Sequence, residues 1–166
     1  MEDFKLLSNT DSYLTFSMNQ ELFAVSVKKV TELLEMLPVT VVPKAPAYMR
    51  GVINLRGSVV PVLDTRTKFS LPSVPDSIDT CIVVMTIENG EELVKIGAIV
   101  DSVSEVIEIP NEEIMPLPAI SKKERAQFIH GVIKKEERFI MILDVDRVFS
   151  TEEVISLKAT ELENVG

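Results

Sequence analysis

The segment GVINLRGSVVPVLDTRTKF, residues 51–69, lies without a gap over GVIKKEERFIMILDVDRVF, residues 131–149, at an offset of 80. Gly51, Val52, Ile53, Leu63, Asp64 and Phe69 recur as Gly131, Val132, Ile133, Leu143, Asp144 and Phe149. Upstream, VTELL (30–34) resembles VSEVI (103–107) at an offset of 73. The seven-residue difference falls between the two blocks, where APAYMRG (45–51) has become the longer SKKERAQFIHG (121–131). Matches in one gapless block point to an internal duplication. They predict two related halves, about 12–69 and 80–150.

Each copy reads as a hairpin. Val52–Leu55 and Val59–Leu63 are apolar runs around an Arg56-Gly57 corner, and Ile133 pairs with Phe139–Leu143 around KKEER. Pro61 has no amide proton for a ladder hydrogen bond, so its strand is expected at an edge or a bulge. Asp64 and Asp144 hold equivalent places and suit capping of the turn after the strand. DTRTKF is expected to form one irregular helical turn, APAYMRG another, and SKKERAQFIHG a capped helix ending at Gly131 with His130 beside it.

Outward from the blocks, Leu14, Phe16 and Met18 alternate with Tyr13, Thr15 and Ser17, the period of a half-buried strand. Strands are also expected at 22–27, 30–34, 39–42, 80–87, 93–100 and 103–109, with Asn89-Gly90 as a hairpin corner. Residues 70–79, with two prolines and three serines, read as a linker. Thr151 with Glu152-Glu153 opens a C-terminal helix over about 151–163. Five short strands per half suit two small all-β barrels rather than sandwiches, and the runs 59–63 and 139–143 are expected where the barrels pack together.

Composition narrows the function. A net charge of −9 without a basic stripe argues against nucleic acid. No apolar run approaches the ~20 residues of a membrane span, and the acidic N-terminus lacks the pattern of a signal peptide. One cysteine, Cys81, allows no internal disulfide, which fits a cytoplasmic protein. Cys81 lies in an apolar alternation and reads as packing. The single His130 makes no multi-histidine metal site. Asp144, Asp146 and Glu152 do not match a calcium loop. No phosphate loop or dinucleotide fingerprint is present, so neither metal nor cofactor is expected, and no catalysis. An exposed arginine at a rigid corner is instead suited to anchor a partner's carboxylate or carbonyl.

At PAYMRGVINLRGSVVPVLDTRTKF, residues 46–69, the sequence resembles the CheW family, the coupling proteins of bacterial chemotaxis. The likeness rests on RGVINLRG, on the VPVLD strand and on the following R.KF, and extends over most of residues 12–150. It implies two intertwined five-stranded, SH3-like β-barrels around a shared core. It also implies a non-enzymatic adaptor between methyl-accepting chemotaxis receptors and the regulatory domain of the histidine kinase CheA, at membrane-associated arrays without direct membrane insertion. Carried over by position, the receptor-binding residues are Val30, Glu32, Arg50, Gly51 and Arg56. Kinase contacts cannot be placed from the motif. Two other classes stay open at this point. A small-molecule sensor requires an enclosed pocket between the barrels. An enzyme requires His130, Cys81 or an acid pair gathered in a cleft.

Overall fold

The computed structural model describes residues 10–72, 74–89, 91–117 and 127–149. The expected C-terminal helix and most of the expected helix at 121–130 lie outside them. Ten strands run in chain order: β1 Thr10–Met18, β2 Glu21–Ser26, β3 Val30–Glu35, β4 Met49–Leu55, β5 Ser58–Asp64, β6 Cys81–Asn89, β7 Glu92–Val100, β8 Ser102–Pro110, β9 Ile129–Lys135 and β10 Arg138–Leu143. Single helical turns follow β5 (α1, Thr65–Lys68) and β10 (α2, Val145–Val148).

The strands form two five-stranded sheets, in the orders β8-β1-β2-β10-β9 and β3-β6-β7-β5-β4. Advancing each strand of the first half by five converts one order into the other, so the duplication read from sequence is a pseudo-two-fold relation in space. β4 and β9 begin and end exactly 80 residues apart, as do α1 and α2. Asp64 accepts from the Arg66 amide and Asp144 from the Arg147 amide, the capping role expected of both.

The sheets and the sequence halves are different partitions of the chain. Pairings inside a hairpin are local: β1 with β2, β4 with β5, β6 with β7, β9 with β10. Every other ladder joins the first half to the second: β1 with β8, β3 with β6, and the parallel pairs β2–β10 and β5–β7. The first hairpin thus sits in the sheet completed by β8, β9 and β10.

This exchange explains which strands are apolar on both faces. Leu14, Phe16, Phe23 and Val25 face Val83, Met85, Ile96 and Ala98 across a central layer between the sheets. Their alternate neighbours, Tyr13 and Ala24 in one sheet and Ile82, Val84 and Ile99 in the other, fill a separate core behind each sheet. The runs 59–63 and 139–143, expected at the junction, contribute mainly Leu63 and Leu143 to it; Val59 and Phe139 are exposed. The hairpins β1–β2 and β6–β7 make the junction instead, because they carry alternating apolar residues of both parities.

Other local expectations change too. Residues 39–42 form no strand beyond a bridge of Thr40 to Val52, since Pro38 and Pro43 bracket them. APAYMRG makes a hydrogen-bonded turn, Met49 amide to Pro46 carbonyl at 2.9 Å, and then enters β4. His130 lies in β9, not at a helix end. Gly131 does not stop a helix: a Cβ there would stand 2.4 Å from Ile114 Cγ2 and 3.0 Å from the Met115 carbonyl oxygen. Pro61 is not on an edge strand, because β4 lies outside β5. It pairs with Val52, whose amide and carbonyl both turn away to Thr40, and the ladder to β7 begins only at Val62. No hydrogen-bond partner is therefore deprived of a donor.

Candidate partner-binding site

The β4–β5 hairpin turns through two residues, Arg56 at φ 50° and Gly57 at φ 86°. Positive φ at both positions is the primed turn that matches strand twist, and it fixes the corner tightly. The Gly57 amide donates to Asn54 Oδ1 at 2.9 Å. The corner carries the Arg56 side chain, 69% exposed, out to Glu32 Oε1, to which it donates a hydrogen bond. That hydrogen bond, with the carboxylate's charge, raises the Arg56 pKa above its ordinary value. Arg56 is a stable cation.

Glu32 is supplied by β3, where a bulge lies between Val30 and Glu32. Thr31 is the extra residue, and its hydroxyl donates to the Val84 carbonyl at 3.0 Å. Bulges re-aim side chains. Here Val30 is half-buried against the central layer while Glu32 meets Arg56. Since β3 and β4 are opposite edges of their sheet, the Arg56–Glu32 pair ties one edge to the other.

Arg50 and Gly51 stand at the other end of the same hairpin, roughly 20 Å from the corner at ~3.4 Å per residue. Arg50 holds Asp76 of the linker through two hydrogen bonds, 3.1 and 3.4 Å, and lies 3.6 Å from Asp64. The hydrogen bond to Arg50 lowers the Asp76 pKa below its usual value. Gly51 is a spacing residue, because an added Cβ would stand 2.2 Å from the Thr40 carbonyl oxygen. The five residues expected at one site thus divide into a corner (Val30, Glu32, Arg56) and a linker anchor (Arg50, Gly51).

Behind that anchor is a residue the sequence reading left inside a helical turn. Arg66 is fully buried. It grips Asp64 through Nε and a terminal nitrogen, 3.0 and 3.1 Å, and reaches Asp101 at 3.0 Å and the Val74 carbonyl at 3.2 Å. Burial by itself would lower its pKa; the bonds and charges of Asp64 and Asp101 outweigh this and raise it. Asp101 also accepts from the Asn19 amide at 2.8 Å, so one guanidinium gathers α1, the linker and two turns. The DxR spacing of Asp64 and Arg66 was the available signal.

The second half keeps the scaffold and exchanges the charges. At the place of Arg66 stands Asp146, which takes Lys29 at 2.9 Å and the Glu88 amide at 3.1 Å. The β9–β10 tip is Glu136-Glu137 in place of Arg56-Gly57. Next to it Met115, Pro116, Leu117, Val132, Phe139 and Met141 line an apolar groove of about 360 Å³. Phe139 is 59% exposed there. Val41 and Val59 are exposed at the corresponding place of the first half.

Among the described residues, the groups capable of chemistry are scattered. Burial raises the Cys81 thiol pKa, which disfavours the thiolate. Cys81 and His130 belong to different sheets. Among the described residues no group of three or more His, Cys, Asp or Glu is placed to hold a metal ion, and no helix is long and apolar enough to cross a membrane. Among the described residues, apolar side chains pack the layer between the sheets.

Two interlocked sheets carry an exposed cationic corner and exposed apolar patches. The match to the CheW-like domain covers residues 12–153, and the chain belongs to that family. It is 30% identical over 145 residues to the chemotaxis protein CheW of Treponema pallidum, covering 87% of this chain and 85% of that protein. It is 32% identical over 142 residues to the CheW of Klebsiella aerogenes, covering 86% and 83%. The crystal structure of the scaffolding protein TtCheW from Thermoanaerobacter tengcongensis superposes with a TM-score of 0.75 at 29% identity, covering 86% of this chain and 90% of that one.

Proposed function

We propose that this chain is a non-enzymatic chemotaxis adaptor that links the cytoplasmic tips of chemoreceptors to the regulatory domain of the kinase CheA. The observation carrying this reading is the Arg56–Glu32 corner: an exposed cation held by a two-residue turn and by the opposite edge of its sheet. Preorganisation of this kind lowers the entropy lost on docking. A helical hairpin laid along the corner would meet Arg56 first and half-buried Val30 beneath it. The kinase side is assigned to the groove around Phe139 and Met115, where exposed apolar surface is concentrated in the second half. Membership of a scaffold family and the scattered titratable groups support the absence of catalysis.

Co-sedimentation with receptor fragments and CheA tests the reading; failure to recruit kinase to receptor overturns it. Arg56→Glu is expected to abolish measurable receptor co-sedimentation while leaving the urea midpoint unchanged, because both partners of the pair reach solvent. The charge-swapped Glu32→Arg/Arg56→Glu variant retains the edge-to-edge link and still fails to bind, since the cation no longer stands at the tip. Recovered binding would transfer the role from Arg56 to the link itself.

Phe139→Ser is expected to weaken CheA binding at least tenfold in a titration, with receptor binding intact. Its exposure means little core packing is lost. Unchanged kinase affinity would remove the groove from this function.

A further inference from the structure

We propose that Met115 is a reversible oxidation site that switches the groove around Phe139 between a form that can be covered by a partner and one that cannot; this rests on assigning that groove to the kinase. The oxidant is hydrogen peroxide. One oxygen atom passes to the thioether sulfur, which gives up two electrons; the O–O bond breaks and water leaves. A methionine sulfoxide reductase reverses the step: a dithiol supplies two electrons, becomes a disulfide, and the oxygen leaves as water.

Access singles out this sulfur. Met18, Met49 and Met85 are buried, with exposures of 0, 7 and 3%, whereas Met115 is 43% exposed. Met36 and Met141 are half-buried. Oxidation by a dissolved peroxide follows exposure. Met115 is also fixed in place. Its amide donates to the Val132 carbonyl and its carbonyl accepts from the Val132 amide, both at 2.8 Å. The residue cannot withdraw from the groove without breaking both bonds.

The groove makes one added oxygen matter. Among the described residues its lining is Met115, Pro116, Leu117, Val132, Phe139 and Met141, with no side chain that donates a hydrogen bond. A thioether is apolar and conformable, which suits a surface to be covered. A sulfoxide oxygen is a strong acceptor. Covering it strips its water and offers no donor in return, the costly case for a buried polar group.

The internal repeat shows that the sulfur belongs to one half only. Val52 and Val132 are equivalent, and the residues that bridge to them are Thr40 and Met115. Val59 and Pro61 stand 80 residues before Phe139 and Met141. The first half therefore has threonine and proline where the second has its two groove methionines. Peroxide should act on the kinase-facing half and spare the Arg56–Glu32 corner.

The test exposes the full chain to hydrogen peroxide, maps the sulfoxides by peptide mass spectrometry, and titrates the product with CheA. Met115 should oxidise roughly tenfold faster than Met18, Met49 and Met85. The chain oxidised at Met115 should bind CheA roughly tenfold more weakly, with receptor co-sedimentation and the urea midpoint unchanged. Methionine sulfoxide reductase with dithiothreitol should restore the affinity. Met115→Leu cannot form the sulfoxide; whatever its starting affinity, peroxide should leave that affinity unaltered. Kinase binding that survives oxidation of Met115, or that falls as far in Met115→Leu, overturns the switch. Oxidation of Met115 no faster than that of the buried methionines overturns the site. A chain that fails to bind CheA before any treatment removes the kinase reading itself, and the switch with it.

Discussion

Arg66→Ala is expected to lower stability by about 3–5 kcal/mol, the range seen when one member of a buried ion pair is removed. The substitution leaves Asp64, whose side chain is 8% exposed, with only the longer contact to Arg50 at 3.6 Å, removes the 3.0 Å ion pair of Asp101, and frees the Val74 carbonyl. For a domain of this length that corresponds to a melting temperature lower by ~10 °C or more. Arg66→Lys keeps the charge but not the fork that reaches Asp64 through two nitrogens and Asp101 through a third, so most of the loss should remain. Arg66→Leu combined with Asp64→Asn and Asp101→Asn should be milder than Arg66→Leu alone, because no carboxylate is then stranded. Urea unfolding of the four variants decides the matter. A loss below about 1 kcal/mol for Arg66→Ala would show that the cluster does not anchor the linker.

Alanine at Gly51 should be the next most damaging single change. Its Cβ would meet backbone, the Thr40 carbonyl oxygen at 2.2 Å and carbon at 2.8 Å, and Val39 Cγ1 at 2.7 Å. Backbone cannot rotate aside, so the Thr40–Val52 bridge must open; overpacking of this kind costs about 1–3 kcal/mol and more where backbone moves. Gly131→Ala should be gentler, since its closest neighbour is a side-chain methyl of Ile114. Gly57→Ala meets nothing within 4 Å, and its penalty is only that of φ +86°, about 1 kcal/mol. The order Gly51 > Gly131 > Gly57 in denaturation midpoints is the expected result. A Gly57 variant as unstable as the Gly51 variant would contradict it.

These two sites also mark where the sequence was readable. Gly51 and Gly131 announced the repeat, and the repeat foretold matching hairpins, helical turns and aspartate caps, all local features written in short stretches. The Arg56-Gly57 corner was legible for the same reason. What could not be read was which hairpin joins which sheet. Leu14, Phe16 and Phe23 would complete either sheet equally well by pattern, and the choice depends on ladders such as Leu14 to Val106, far apart in the chain. Arg66 was hidden similarly: an arginine in a helical turn is ordinarily solvated, and its burial depends on Asp101 arriving from another hairpin. His130 and Gly131 imitate a helix end, yet the glycine is there because Met115 and Ile114 press against it. At the candidate site, the sequence named residues without their grouping in space. Arg50 lies near the start of β4 and Arg56 in the turn that follows it, and this separation along the hairpin is what gives one to the linker and the other to the corner.

The exchanged hairpins bear on how the chain is made. Synthesis is vectorial, at ~5–20 residues per second. The hairpin of β1 and β2 leaves the ribosome early, with Phe16 and Phe23 uncovered, yet its flanking partners β8 and β10 begin only at Ser102 and Arg138. The nascent chain therefore carries a sticky, half-finished edge through most of translation, whereas the sheet containing β3 to β7 can close once Val100 has emerged. One sheet matures before the other despite their near-identical plans, and the window before β10 appears is when a chaperone has the most to protect.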